Sequence, residues 1–277
     1  MRPVLNLLFS INDSYVDQFK VTLFSLVQQT PDRDLHVYLL QQPRLSREPE
    51  VEVFCRKLGV SYHALVIDKG AFADAPTSDR YPETIYYRLL AHEYLPDDLD
   101  KILYLDADIL CINPVTALYD LDLGEQLYAA ASHTEDANVT DVVNRLRLGD
   151  YESKNYFNSG VLLMNLTKIR QMVKREDIMT YIAARQNLLF LPDQDVLTAL
   201  YGHHITLIPD QIYNFDTRYH LIYAAKSLGK WDLDWVMANT VFLHFCGRDK
   251  PWKPSYRNMF SGLYKHYQHL TRRADRD

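Results

Sequence analysis

The run KILYLDADILC, Lys101 to Cys111, ends an apolar stretch with two carboxylates, Asp106 and Asp108, one residue apart. Ile102, Leu103, Tyr104 and Leu105 are continuous, apolar and aromatic, as in a strand buried on both faces. An unpaired charge inside such a strand costs several kcal/mol. The carboxylates therefore belong where the strand ends and a positive group meets them. In α/β proteins ligands bind beyond the carboxyl ends of the strands, and paired oxygen ligands suit a hard divalent cation. For an Asp-Ala-Asp triplet by itself, an acidic turn is the alternative.

The rest of the chain supplies a sheet for that strand. Val4 to Ile11 reads as a strand, followed by a polar turn at Asn12, Asp13 and Ser14 and a helix from Tyr15 to Gln29. Further strands are expected at Leu35 to Leu40, Ser61 to Ile67, Leu127 to Ser132 and Gly160 to Leu166, with helices at Ser46 to Leu58, Thr84 to Tyr94 and Leu166 to Arg185. Alternation of this kind predicts an α/β fold with a mostly parallel sheet flanked by helices. From about Pro209 the chain turns irregular and aromatic, and it ends in a basic, helix-like tail. No repeat or low-complexity linker interrupts the 277 residues, so the sheet and the remainder are expected to share one core.

Composition narrows the function classes. A hydrophobic fraction of 47% and a charged fraction of 24% are those of a soluble globular protein. The net charge of -6 argues against a general nucleic-acid binder. No apolar stretch approaches the roughly 20 residues that span a bilayer, and MRPVLNLLFSINDSY turns polar too soon for a signal peptide. The three cysteines, Cys55, Cys111 and Cys246, form neither a disulfide framework nor a zinc spacing, which points to a cytoplasmic chain with reduced thiols. The 20 tyrosines suit sugar or nucleobase contacts, although a Tyr-rich core explains them equally.

Two further constellations carry chemistry. In HFCGRDKPW, His244 to Trp252, the histidine follows the apolar run Val241, Phe242, Leu243 and so sits at another strand end. A neutral imidazole beside two carboxylates favours Mn²⁺ over Mg²⁺, with Mg²⁺ still admissible. Gly247 permits close backbone approach, and Lys250 offers a point charge for phosphate. The other constellation joins NYFNSGVLLMN, Asn155 to Asn165, with LPDQDVL, Leu191 to Leu197. Asn158 offers an amide suited to sugar hydroxyls. Asp193, Gln194 and Asp195 open a predicted helix, where capping needs only one of them.

The order of FSINDSY, TIYYRL, KILYLDADIL, FNSGVLLMN, PDQD and HFCGRDKPW resembles glycosyltransferase family eight. That family includes bacterial lipopolysaccharide galactosyl- and glucosyltransferases, with glycogenin a more distant relative. The resemblance runs from about Leu5 to Trp252 and implies a GT-A domain over 1–255, a UDP-sugar donor (glucose or galactose), a glycan or glycoconjugate acceptor, a metal ion and retention of anomeric configuration. It makes Asp106, Asp108 and His244 the metal ligands. Ser10, Asn12, Tyr15 and Arg88 would bind the nucleotide donor, Gly247 and Lys250 its diphosphate. Asn158, Asp193, Gln194 and Asp195 would surround the transferred sugar as catalytic residues. Two departures stand out. Related galactosyltransferases commonly carry an Asp where Asn12 lies, and no Asp falls cleanly near Ser132, His133 and Thr134, where Glu135 or Asp136 could substitute.

Other readings compete. A nucleotidyltransferase also uses an acidic pair on an α/β sheet, but FSINDSYVDQF lacks the Gly-rich basic phosphate loop. A non-catalytic sugar-nucleotide-binding protein would be expected to have lost one of Asp106, Asp108, His244, Lys250 or Asp195. In the tail, residues 256–277, Phe260, Leu263, Tyr264 and Tyr267 share one helical face, and Arg257, Lys265, Arg272, Arg273 and Arg276 supply charge. Such a helix either packs on the domain or rests peripherally on an anionic membrane at its inner face.

Overall fold

The computed structural model describes residues 2–72, 75–77, 82–132, 156–185, 188–189 and 191–276. Among them, seven strands form the main sheet in the order β3 (Ser61–Val66), β2 (Asp34–Gln41), β1 (Val4–Ser10), β4 (Lys101–Leu105), β7 (Phe157–Asn165), β6 (Tyr128–Ser132) and β8 (Ile205–Ile208). All neighbours are parallel except at β7, which runs against both β4 and β6. That reversal has a functional consequence. The start of β7 lies at the same sheet edge as the ends of β1 and β4, with Val161 opposite Leu105.

Side chains alternate across the strands, so both sheet faces are apolar. Leu7, Phe9, Leu103 and Leu105 pack on one face beneath helices α1 (Val16–Gln29) and α2 (Glu48–Lys57). Leu8, Ile102, Tyr104 and Leu162 face the other side, with Leu166, Ile169, Ile178 and Val196 over them. A third apolar cluster lies under a small sheet of β5 (Ile109–Cys111), β10 (Phe242–His244) and β9 (Phe215–Asp216). Two buried hydroxyls of α1 hold β5 in place. Thr22 Oγ1 donates to the carbonyls of Ala107 at 3.0 Å and Ile109 at 2.7 Å, and Ser25 Oγ accepts from the Cys111 amide at 3.0 Å.

Several expected elements differ in detail. Thr84 to Tyr94 is not an α-helix but two 3₁₀ turns, Glu83–Ile85 and Tyr87–Glu93. Tight turns put Arg88 close to the carbonyl of Ile85, three residues back, and its Nε donates there at 3.0 Å. The expected helix from Leu166 to Arg185 is two helices, Leu166–Met172 and Arg175–Arg185, because Val173 turns extended. Strand β7 begins at Phe157 rather than Gly160. The segment after Pro209 is not irregular throughout: it holds β9, β10 and short helices.

The tail forms a helix, Ser261–Arg276, whose apolar side packs inward; Asp277 lies outside the described residues. Tyr264 is fully buried with its ring 5.3 Å from Phe245, and Tyr267 packs against two of the three apolar clusters. Lys20 Nζ reaches Asp275 at 2.9 Å, and Gln29 Nε2 donates to the Tyr267 hydroxyl at 3.0 Å. Among the described residues no helix is long and apolar enough to cross a membrane. Tyr264→Ala should lower unfolding free energy by about 3–5 kcal/mol, the cost of truncating a buried aromatic. Urea unfolding measures it; a loss below about 1 kcal/mol would detach the tail from the folded unit.

Candidate active site

The end of β4 is held by β7 and by one buried cation. The Asp106 amide donates to the Gly160 carbonyl at 2.9 Å. Asp106 Oδ1 accepts from the Tyr104 hydroxyl at 2.8 Å and pairs with Arg88 Nη2 at 2.9 Å. The Arg88 guanidinium stacks 4.3 Å from the Tyr104 ring centre, donates to the Ser159 carbonyl at 2.8 Å and lies 3.4 Å from Asp193 Oδ2. Ser159 Oγ donates to that same Asp193 oxygen at 2.5 Å. Burial lifts the Asp193 carboxyl above its ordinary range, against the pull of Arg88. Removing one partner from such a buried pair costs about 3–5 kcal/mol. Arg88→Met should therefore destabilise by that order, and Arg88→Lys should recover only part, because a point charge cannot replace the planar fork. Thermal melts of the two variants check this; equal stability would contradict it.

Strand pairing in the small sheet brings the third group in. His244 lies opposite Ile109, and the Phe245 amide donates to the Asp108 carbonyl at 3.0 Å. His244 Nε2 is 3.2 Å from Asp108 Oδ1 and 3.9 Å from Asp106 Oδ2, and its Nδ1 is 2.8 Å from Asn214 Oδ1. Ligand atoms of Asp106, Asp108 and His244 all lie within 4.8 Å of one another. The donor set fits a divalent ion: two carboxylates and an imidazole lone pair repel one another unless a cation or a proton sits among them. Burial opposes charge on His244, yet Cys246 and Asp108 raise its proton affinity well above the ordinary histidine value. Burial pushes the Asp108 carboxyl up, but Lys250 and His244 hold it well below the usual carboxylate range. Lys250 Nζ contacts Asp108 Oδ2 and donates to the Phe245 carbonyl at 2.9 Å.

The remaining expected residues gather at the same edge. Asn158 Nδ2 donates to Gln194 Oε1 at 2.9 Å, and the Ser159 amide reaches that oxygen at 3.3 Å. Gln194 and Asp193 are in the first turn of the Pro192–Tyr201 helix. Asp195 is fully buried; its oxygens accept from the Tyr156 hydroxyl at 2.7 Å and the Leu191 amide at 3.2 Å, so it ties the helix start to the residue that precedes β7. Ser10, at the end of β1, donates through Oγ to the Thr84 carbonyl at 2.7 Å. Asn12 caps the Asp13–Tyr15 turn, its Oδ1 taking the Ser14 amide at 3.1 Å. Tyr15 stands edge-on to Trp252 at 5.9 Å, with burial raising its hydroxyl pKa. Gly247 has φ +89, open to glycine above all, and a Cβ there would come within 3.0 Å of Arg218. His133, Thr134, Glu135 and Asp136 lie outside the described residues; Ser132 is buried and donates to the Tyr156 carbonyl at 3.0 Å.

Several participants carried no legible signal. Gly160 reads as an ordinary strand glycine, yet a Cβ there would overlap His244 Cε1 and stand 2.8 Å from Asp106 Oδ2. Asn214 and the fully buried Asp216, which clasps Arg218 through both oxygens at 2.6 to 3.1 Å, sit in an aperiodic aromatic stretch. Ser159 would have been found only by asking what a strand places beside Asn158.

The chain is similar to known proteins over most of its length. The family model described as glycosyl transferase family 8 matches residues 6–255. Lipopolysaccharide 1,2-glucosyltransferase of Escherichia coli is 28% identical over 263 residues, covering 91% of this chain and 74% of that one. General stress protein A of Bacillus subtilis strain 168 is 25% identical over 277 residues, covering 97% and 94%. The crystal structure of galactosyltransferase LgtC with donor and acceptor sugar analogues superposes with a TM-score of 0.80 at 23% identity, over 96% of each chain. That likeness establishes the GT-A fold.

Proposed function

The chain belongs to glycosyl transferase family 8 and is a retaining glycosyltransferase, and we propose that it moves glucose or galactose from a UDP-sugar to a carbohydrate or glycoconjugate acceptor with the help of Mn²⁺. The observation that carries the reading is the convergence of Asp106, Asp108 and His244, with Lys250 beside them, at the edge where β4 and β10 end. The imidazole in this set favours Mn²⁺ over Mg²⁺. Asp106, Asp108 and His244 would hold the ion, which when bound would supply Lewis-acid neutralisation of the diphosphate charge. Lys250, with Gly247 near it in the same loop, adds a positive charge for the same diphosphate. Tyr15, Asn12 and Ser10 line the nucleotide end, and Arg88 fixes Asp106 toward the donor.

At the sugar end, Gln194 and Asn158 present amides. A double displacement needs a carboxylate under the ring, but Gln194 is neutral, Asp193 is held by Ser159 and Arg88, and Asp195 by Tyr156 and Leu191. Same-face attack fits these residues better. The bond from the anomeric carbon to the diphosphate oxygen breaks, the acceptor oxygen bonds to that carbon on the same face, and the acceptor proton passes to the departing oxygen. The sugar's positive character in passage resembles that in glycoside hydrolysis.

The test is a panel of nucleotide sugars in thermal shift with Mn²⁺. A ligand at a hundred times its Kd stabilises by about 2.7 kcal/mol, and UDP-glucose or UDP-galactose should give a shift that ADP-glucose does not. No UDP-sugar shift in Mn²⁺ would overturn the donor assignment, and UDP release that acceptors fail to accelerate would favour a binding protein. Gln194→Ala should lower turnover more than it weakens UDP binding, since UDP lacks the sugar; calorimetry showing UDP affinity collapsed in a folded variant would move Gln194 to the nucleotide end. We place this work in the cytoplasm, where the exposed Lys265, Arg272, Arg273 and Arg276 can meet an anionic membrane face. Salt-sensitive sedimentation with anionic vesicles tests that contact, and its absence at low salt contradicts it.

A further inference from the structure

We infer that Asn214 is a positioning residue that fixes the tautomer of His244, so that Nδ1 keeps its proton and Nε2 is delivered to Asp106 and Asp108. The inference rests on the metal-site reading above and names how that site is prepared. Asn214 is fully buried, so each end of its amide needs a partner. Which end faces the imidazole is decided by a backbone group two residues away from it in a chain of hydrogen bonds. The Gly160 amide can only donate, and it does so to Asn158 Oδ1 at 2.9 Å. Asn158 therefore offers its oxygen, not its NH₂, at that point. Asn214 meets the same oxygen at 2.8 Å, so it must present Nδ2 there and turn Oδ1 the other way. At that other end stands His244 Nδ1, 2.8 Å off, and a carboxamide oxygen can only accept. Nδ1 must carry the proton.

A second backbone donor supports the same orientation. The Ser159 amide and Asn158 Nδ2 both donate to Gln194 Oε1, at 3.3 and 2.9 Å, so Asn158 cannot flip without losing contacts at both ends. Gly160 serves twice: its amide starts the relay to His244, and its carbonyl takes the Asp106 amide. One strand residue thereby aligns two of the three ion-binding groups. A ligating histidine usually donates its other ring nitrogen to such a partner, and losing that partner typically weakens metal binding about 10–100-fold.

The test uses the full chain with Asn214→Leu and Asn214→Asp, and reads Mn²⁺ affinity by electron paramagnetic resonance of free Mn²⁺. The Mg²⁺-loaded proteins, labelled with ¹⁵N histidine, are read by proton NMR for the Nδ1–H of His244. Wild type should show a protected, downfield Nδ1–H. Asn214→Leu should lose it and weaken Mn²⁺ binding by about 10–100-fold. Asn214→Asp, which still presents an oxygen, should keep the resonance, shifted further downfield, and bind Mn²⁺ more tightly than the Leu variant. Loss of the resonance in Asn214→Asp, or unchanged Mn²⁺ affinity in a folded Asn214→Leu, overturns the positioning role. If Asn214→Leu does not fold, the resonance in Asn214→Asp decides by itself. Wild type that binds no Mn²⁺ overturns instead the metal reading on which the inference rests.

Discussion

Asp108→Asn should lower sugar transfer by about a thousandfold or more, equivalent to several kcal/mol of lost electrostatic stabilisation, while the chain still folds. The carboxylate is the meeting point of His244 at 3.2 Å and Lys250, and burial leaves little water to replace its charge. A carboxamide keeps one oxygen for Lys250 but removes the anion that draws Lys250 and an ion together. The pair with Lys250 is thereby weakened rather than deleted, so the stability cost stays below the about 3–5 kcal/mol of an outright break. Asp108 follows the end of β4 and precedes β5, and the backbone bond from Phe245 does not depend on its side chain. Circular dichroism at the assay temperature separates folding from chemistry. A folded variant within tenfold of wild-type activity would remove Asp108 from the site.

Gly160→Ala is expected to damage the site almost as severely, through space rather than charge. The added methyl would overlap His244 Cε1 and stand 2.8 Å from Asp106 Oδ2 and 3.0 Å from Asn158 Oδ1. None of these neighbours yields easily. His244 is held by Asn214, Asp106 by Tyr104 and Arg88, and Asn158 by Gln194. Overpacking of this kind costs about 1–3 kcal/mol in stability, and the displaced ligands should cut Mn²⁺ affinity by at least about 100-fold. Titration with Mn²⁺ alongside a melting curve measures both. Affinity within threefold of wild type would show that the strand and the ion-binding groups are not in such close approach.

The candidate ligand groups of the site were readable before the fold because each interrupts an apolar run where a buried strand must end. Asp106, Asp108 and His244 announce themselves in that way, and the structure sets their ligand atoms within 4.8 Å of one another. The groups that orient them were not readable. Asn214 lies 30 residues from His244 and 56 from Asn158, in a stretch without period, so no local pattern marks it. The 3₁₀ turns around Arg88 also escaped, because apolar spacing cannot distinguish a helix from two tight turns when Tyr86, Tyr87, Leu89 and Leu90 are all buried. The reversal of β7 was equally hidden. Its run FNSGVLLMN is as continuous as that of a parallel strand, and direction is set by pairing with β4 and β6. Periodicity reports burial; it does not report which way a buried strand runs or what its polar ends will touch.

The tail shows the same limit from another side. Phe260, Leu263, Tyr264 and Tyr267 were readable as one face, and the sequence favoured a protein surface beneath it only slightly over a lipid one. The apolar side packs against protein, and Asp275, which dilutes the tail's charge, pairs with the buried Lys20.

Metal-dependent sugar transfer is read most plainly from UDP release from UDP-glucose and UDP-galactose with acceptor, measured on one preparation in Mn²⁺, then in excess chelator, then with Mn²⁺ restored. Acceptor-dependent release should vanish with the chelator and return with the ion, and in Asp108→Asn the ion should not restore it. Full transfer in excess chelator would contradict metal dependence.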